Sequence, residues 1–140
     1  MPDDCLFCRI ARGDEPGHVV YESDVAVGFL DARPVFPGHT LLVPRSHVVT
    51  YLDLPSELIG PFFAAGKAVA AAVTKGMRAE GTFVAMNNVV SQSVAHLHLH
   101  VVPRTKGDGL RGFFWPRRKY ADGEAEEAVA QIRAALLISS

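Results

Sequence analysis

The chain has 140 residues, 49% of them hydrophobic and 21% charged, with a formal net charge of −1. That length suits one domain; the composition excludes disorder and fibrous repeats, and the charge argues against bulk attraction to nucleic acid or an anionic membrane. No apolar run approaches the roughly 20 residues of a bilayer span, and Met1-Pro2-Asp3-Asp4-Cys5 lacks the basic and apolar regions of a signal peptide.

Residues 5–13 read as a short helix, with Asp4 as its cap, Gly13 as its end, and Leu6, Phe7 and Ile10 on one face. Residues 18–22 and 25–30 read as two strands joined by a turn at Ser23-Asp24. Pro34, Pro37 and Gly38 break the pattern before a third strand, residues 39–43, which Pro44 ends. A long helix is expected over residues 55–77, with Leu58, Phe62, Val69, Val73 and Met77 on one face and Gly60-Pro61 near its start. Residues 82–87 and 96–103 read as strands four and five, 104–120 as a loop, and 122–137 as a last helix. Asp122 is its expected cap, Glu124, Glu126 and Glu127 load its first turn, and Val129, Ile132 and Leu136 form its apolar stripe.

The chemistry concentrates in the fifth strand. His96, His98 and His100 alternate with Leu97, Leu99 and Val101. In a strand all three rings project from one face, spaced about 6.6 Å apart, with the outer pair about 13 Å apart. One reacting atom cannot touch all three, so a central group with a different neighbour on each side is expected. Imidazole is both a nucleophile and a proton shuttle near neutral pH. Attack on phosphorus needs donors for the phosphoryl oxygens, and Ser91-Gln92-Ser93 and Asn87-Asn88 lie just upstream. A metal site is the competing reading of the same spacing.

The run from His96 to Val102 resembles the signature of the histidine triad (HIT) superfamily. Cys5-Leu6-Phe7-Cys8, Phe29-Leu30-Asp31, Pro37-Gly38-His39, Pro44-Arg45-Ser46-His47 and Gln92-Ser93-Val94 follow in the family's order, covering about residues 4–105. The resemblance implies an α+β, HIT-like fold with a five-stranded antiparallel sheet, a short N-terminal helix, one long helix and a C-terminal helix. The whole chain is then a single HIT domain. It further implies a homodimeric hydrolase or transferase of nucleoside monophosphates, with a purine nucleotide as substrate and no membrane or specific nucleic acid as partner.

By the same resemblance His98 is the nucleophile and His100 bonds the phosphate and the leaving-group side, with Ser93 and Gln92 on phosphate or leaving group. His96 completes the catalytic row. Asp31 binds the ribose hydroxyls, and His39 lines the pocket near the phosphate, where the position of Asn87 ahead of the histidine strand also makes it a candidate contact. Leu6, Phe7, Ile10, Phe29 and Leu30 form the slot for the base. Two departures point to alternative readings. The stretch Asn88-Val89-Val90-Ser91 is short and lacks the glycine of the Hint branch, which favours a nucleotide-binding or interaction protein with little catalysis. Residues 33–39 resemble the fragile-histidine-triad branch, whose substrates are dinucleoside polyphosphates, although Asp31 stands where that branch has asparagine.

In a cytoplasmic, reducing location Cys5-x-x-Cys8 reads as half of a zinc site or as two unligated thiols. Spacing does not choose the two remaining ligands. The resemblance does: zinc-bearing bacterial relatives imply a structural Zn2+ on Cys5, Cys8, His47 and His96. Between residues 104 and 119 lie six basic residues against one acid, Asp108, with Phe113, Phe114 and Trp115 interleaved and Tyr120 just beyond. That segment reads as a loop whose aromatics pack on the core or on a second subunit.

Overall fold

The computed structural model describes residues 4–110 and 118–139. The chain divides into two compact units, residues 1–108 and 109–140.

The first unit opens with α1 (Leu6–Arg12). Its N-cap is Cys5, not Asp4: the Cys5 sulfur accepts the N–H of Cys8 at 3.4 Å. A sulfur turned inward to satisfy this end of the helix is also placed beside Cys8. Gly13, at φ +82°, closes the other end. Strands β1 (Val19–Glu22), β2 (Ala26–Leu30), β3 (Thr40–Pro44), β4 (Gly81–Ala85) and β5 (Leu99–Arg104) form one antiparallel sheet in the order β1-β2-β3-β5-β4. The turn between β1 and β2 is tied by Ser23 Oγ, which accepts the N–H groups of Val25 and Ala26. The α+β class and five-stranded antiparallel sheet expected from the sequence are present.

Helix α2 (Ser56–Gly76) runs through Pro61 and lies across one face of the sheet. Phe62, Val69 and Val73 are buried there as expected, but Leu58 is only half-buried and Met77 lies beyond the helix and is exposed. Gly66 allows the close approach: a Cβ at that position would stand 3.0 Å from the Leu99 side chain. By length and composition this helix matches a membrane span, against the sequence expectation. Its buried face instead packs in a core with Ala26, Leu42, Leu97, Leu99 and Val101. The opposite face of the sheet carries Val27, Phe29, Leu41 and Val43, which pack against Phe7, Ile10 and Ala11 of α1. Period-two alternation thus places Leu42 under α2 and Leu41 and Val43 under α1.

The fifth strand starts later than its sequence suggests. His96, Leu97 and His98 precede β5 in an irregular approach, in which His96 N–H bonds the Val94 carbonyl and Leu97 N–H bonds the Val48 carbonyl. The ring centroids of His98 and His100 are 5.1 Å apart, closer than a regular strand gives.

The second unit contains α3 (Glu124–Ser139). It begins after Gly123, so Asp122 is not its cap; Glu124 Oε1 accepts the Ala121 N–H instead. Val129, Ile132 and Leu136 are exposed, as is Tyr120. In the expected basic loop, Arg104 belongs to β5 and holds Asp108 through two bonds of 2.7 and 3.1 Å. Arg111, Phe113, Phe114, Trp115 and Arg117 lie outside the described residues.

Candidate active site

A cavity of about 730 Å³ opens on the α1 face of the sheet. Leu6, Phe7 and Ile10 come to it from α1, Phe29 and Leu30 from β2, Asp31 and Arg33 from the turn after β2, and Ser93, His98 and His100 from the approach to β5 and its start. The expected apolar slot is therefore assembled: Phe7 meets Phe29 edge to face with centroids 5.3 Å apart, and meets the His98 ring at 5.1 Å. Pro16, Gly17, His18, Leu41 and Val94 also line the cavity, although nothing in their local pattern singles them out.

Main-chain groups determine where each imidazole carries its proton. His98 Nδ1 lies 2.8 Å from the His96 carbonyl oxygen, which only accepts, so Nδ1 donates and Nε2 keeps its lone pair. Nε2 has no hydrogen-bond partner among the described residues, and the ring borders the cavity. His96 Nε2 likewise donates to the Pro44 carbonyl at 2.8 Å, which leaves the Nδ1 lone pair facing Cys5 Sγ and Cys8 Sγ, each at 3.4 Å. On the far side of His98, the Val35 N–H donates to His39 Nδ1 at 3.1 Å. His39 Nε2 then donates to His100 Nδ1 at 3.0 Å, and His100 carries its proton on Nε2.

Burial keeps the outer rings neutral. It lowers the His100 pKa to about 4, helped by His98 and His39, and it lowers His39 and His96 as well. The Asp31 carboxylate stands 3.7 Å from His39 Nε2 and opposes that shift, but burial outweighs it.

The loop before the histidines differs from its expected use. Gln92 is buried and absent from the cavity wall: its Oε1 accepts the Val89 N–H, and its Nε2 donates to the Val49 carbonyl. Asn87 also stays off the wall and donates to the Ser91 carbonyl. Ser93 reaches the wall, with its hydroxyl on the Gln92 carbonyl. Without glycine the loop still turns sharply, and Val89, Ser91 and Ser93 adopt φ of +71°, +61° and +64°. His39 is buried behind His100 and does not line the cavity.

Beside the cavity, Cys5, Cys8, His47 and His96 bring four ligand atoms within 4.8 Å of one another. Cys8 Sγ is 3.2 Å from His47 Nδ1. Burial pushes the Cys8 thiol up to about 11, and Cys5 adds to the shift. Two sulfurs and two imidazoles converging in this way suit a single soft cation.

A family model described as "HIT domain" matches residues 12–107. The chain is 32% identical to the adenosine 5′-monophosphoramidase of Schizosaccharomyces pombe, over 80% of this chain and 83% of that protein. A solved structure from Streptococcus mutans superposes with a TM-score of 0.86 at 31% identity, covering 98% of this chain and 87% of that one. A Zn-bound histidine triad family protein from Mycobacterium smegmatis superposes with a TM-score of 0.72 at 37% identity, covering 94% and 97%. With the signature, the sheet and the imidazole row in place, these matches show that the chain belongs to the HIT domain family.

Proposed function

We propose that the protein is a nucleotide hydrolase or nucleotidyl transferase that cleaves the bond between a nucleoside monophosphate's phosphorus and an amine-type leaving group. One observation carries this reading: His98 presents an unprotonated Nε2 at the wall of an apolar-lined cavity, with its Nδ1–H fixed on a carbonyl. The base lies between Phe7, Ile10 and Phe29. Asp31 takes the ribose hydroxyls with its spare acceptor capacity, because Oδ1 is already engaged by the Arg33 N–H. His98 Nε2 attacks phosphorus and the bond to the leaving group breaks; His100 Nε2–H donates a hydrogen bond to a phosphoryl oxygen, and the departing amine takes its proton from a water molecule, which becomes hydroxide. The hydroxide then attacks phosphorus; the bond from phosphorus to His98 breaks, free nucleotide leaves, and His98 Nε2 regains its lone pair. The Ser93 hydroxyl supports the phosphoryl oxygens. The name of the Schizosaccharomyces pombe relative supports this substrate class.

Zinc is the metal proposed for Cys5, Cys8, His47 and His96. Tetrahedral bonds of about 2.3 Å to sulfur and about 2.0 Å to nitrogen set ligand atoms roughly 3.5 Å apart, near the 3.2 to 3.4 Å spacings found. A four-ligand site has no open position, so zinc supplies a cross-link between α1 and the residues leading into β5 and takes no part in the reaction. Two copies are proposed to pair, supported by the place of β4 at the end of the sheet order and the exposed Val84, Ile59 and Phe63.

The test is His98→Gly assayed with adenosine phosphoramidate. The variant is expected to bind AMP and lose turnover; full turnover would overturn the reading. Arg33 at the cavity favours dinucleoside polyphosphates as a second substrate class, and turnover on diadenosine polyphosphate against the phosphoramidate separates the two.

A further inference from the structure

Helix α1 brings Leu6, Phe7 and Ile10 to the cavity and β2 brings Phe29 and Leu30, so the distance between helix and strand sets the width of the slot. The cysteine–histidine cluster holds the first turn of α1. At its last turn the N–H groups of Asp14 and Gly13 take the carbonyls of Arg9 and Ile10 at 2.9 and 3.0 Å. The next carbonyl, that of Ala11, accepts from Arg45 Nη1 at 2.9 Å. Arg45 Nε donates at 2.7 Å to the Ser23 carbonyl, in the turn between β1 and β2, and the Arg45 main-chain N–H donates at 2.9 Å to the Val25 carbonyl. One planar guanidinium thus bridges the end of α1 and the turn that leads into β2. A cation also suits the end of a helix where carbonyls are left over. The Glu22 carboxylate, 3.7 Å from Nη2, is exposed and adds little.

We infer that Arg45 is a positioning residue for nucleotide binding, which fastens the last turn of α1 to the β1–β2 turn and so sets the gap in which a base lies between Ile10 and Phe29. Arg45 is absent from the cavity wall, so it acts through α1 and not on the nucleotide. Its tie is separate from the cluster: two residues further on, His47 reaches Cys8 Sγ at 3.2 Å, nearer the other end of the same helix. The segment after β3 therefore grips α1 at two points, one by a guanidinium and one by an imidazole. The inference rests on the proposed seat of the base for its use, but not for the tie itself.

The experiment compares the full chain, supplemented with zinc, with Arg45→Met, which keeps an apolar stem and removes the donors. Nuclear Overhauser contacts between the Phe7 and Phe29 rings are expected to weaken in the variant, while those of Phe62 in the core under α2 persist. Unchanged Phe7–Phe29 contacts overturn the inference. AMP and ribose 5-phosphate, which lacks the base, are then titrated by calorimetry. Arg45→Met is expected to bind AMP about tenfold more weakly and ribose 5-phosphate within about twofold of the wild type. Equal weakening of both ligands, or of neither, overturns the inference. On adenosine phosphoramidate KM is expected to rise about tenfold with kcat within about threefold, and a loss confined to kcat overturns it. Zinc content is expected to be unchanged; its loss from Arg45→Met would assign the effect to the cluster and overturn the inference. If the wild type binds AMP no better than ribose 5-phosphate, the proposed seat of the base fails, while the ring contacts still decide whether Arg45 holds α1.

Discussion

The carbonyl oxygen of His96 receives the Nδ1–H of His98 at 2.8 Å, while the His96 ring faces the two thiols. One residue therefore steers the ring at the cavity and belongs to the cysteine–histidine cluster. Phe7, between Cys5 and Cys8 in sequence, packs edge-on against both rings. Removing the metal from purified protein, or making Cys8→Ser, is expected to weaken AMP binding by about tenfold, or 1.4 kcal/mol, and to lower the thermal midpoint. Calorimetric titration of AMP into metal-loaded and metal-stripped protein checks this. Reloading should release protons, since the buried Cys8 thiol is protonated in the absence of metal.

Gly38→Ala is expected to destabilise the domain by about 1–2 kcal/mol, because an alanine at φ +94° pays the left-handed penalty. Its Cβ would also stand 2.5 Å from Met77 Cγ, although that flexible side chain can yield. Urea unfolding of the two proteins measures the difference.

Val89→Gly should have the opposite sign. Val89 is β-branched, 75% exposed, and held at φ +71°. Relief of that strain outweighs the extra backbone entropy of glycine, for a net gain of about 0.5–1 kcal/mol. The midpoint of thermal unfolding should rise by a few degrees, and Val89→Thr, still β-branched, should give no gain.

Stability should depend on pH through His100 and His39. Both pKa values are depressed in the fold, so below about 6.5 the unfolded chain binds protons that the folded one does not. The stabilising contribution is complete above that value and is lost as pH falls towards about 4. For His100 alone the loss between pH 7.5 and 4.5 is about 2–3 kcal/mol. Unfolding by urea at the two pH values checks the slope, and His100→Asn should flatten it.

Much of this was legible in the chain because periodicity and spacing are properties of side chains. The alternation Leu97, Leu99, Val101 placed an apolar face under α2, and Phe7, Ile10 and Phe29 were readable as a slot. What was not legible depends on the main chain. The irregular path through His96 and His98 arises from local carbonyl bonds at Val94 and Val48, and no residue pattern announces them. Gln92 looked like a phosphate donor because amides usually are; the structure spends both ends of its amide on Val89 and Val49. Cys5 displaced Asp4 as the cap because its sulfur faces inward, towards Cys8 and His96. The pairing of His39 with His100 spans 61 positions and joins residues that local spacing keeps apart.

The groups that choose the protonated nitrogen in each ring are the amide of Val35 and the carbonyls of Pro44 and His96. Every amino acid supplies a carbonyl, and every one but proline supplies the amide. Redesign for a different base can therefore exchange Leu6, Ile10 or Leu30 freely, since mutagenesis of the walls leaves the reactive rings wired as before. Altered specificity and intact chemistry are separable engineering goals in this scaffold.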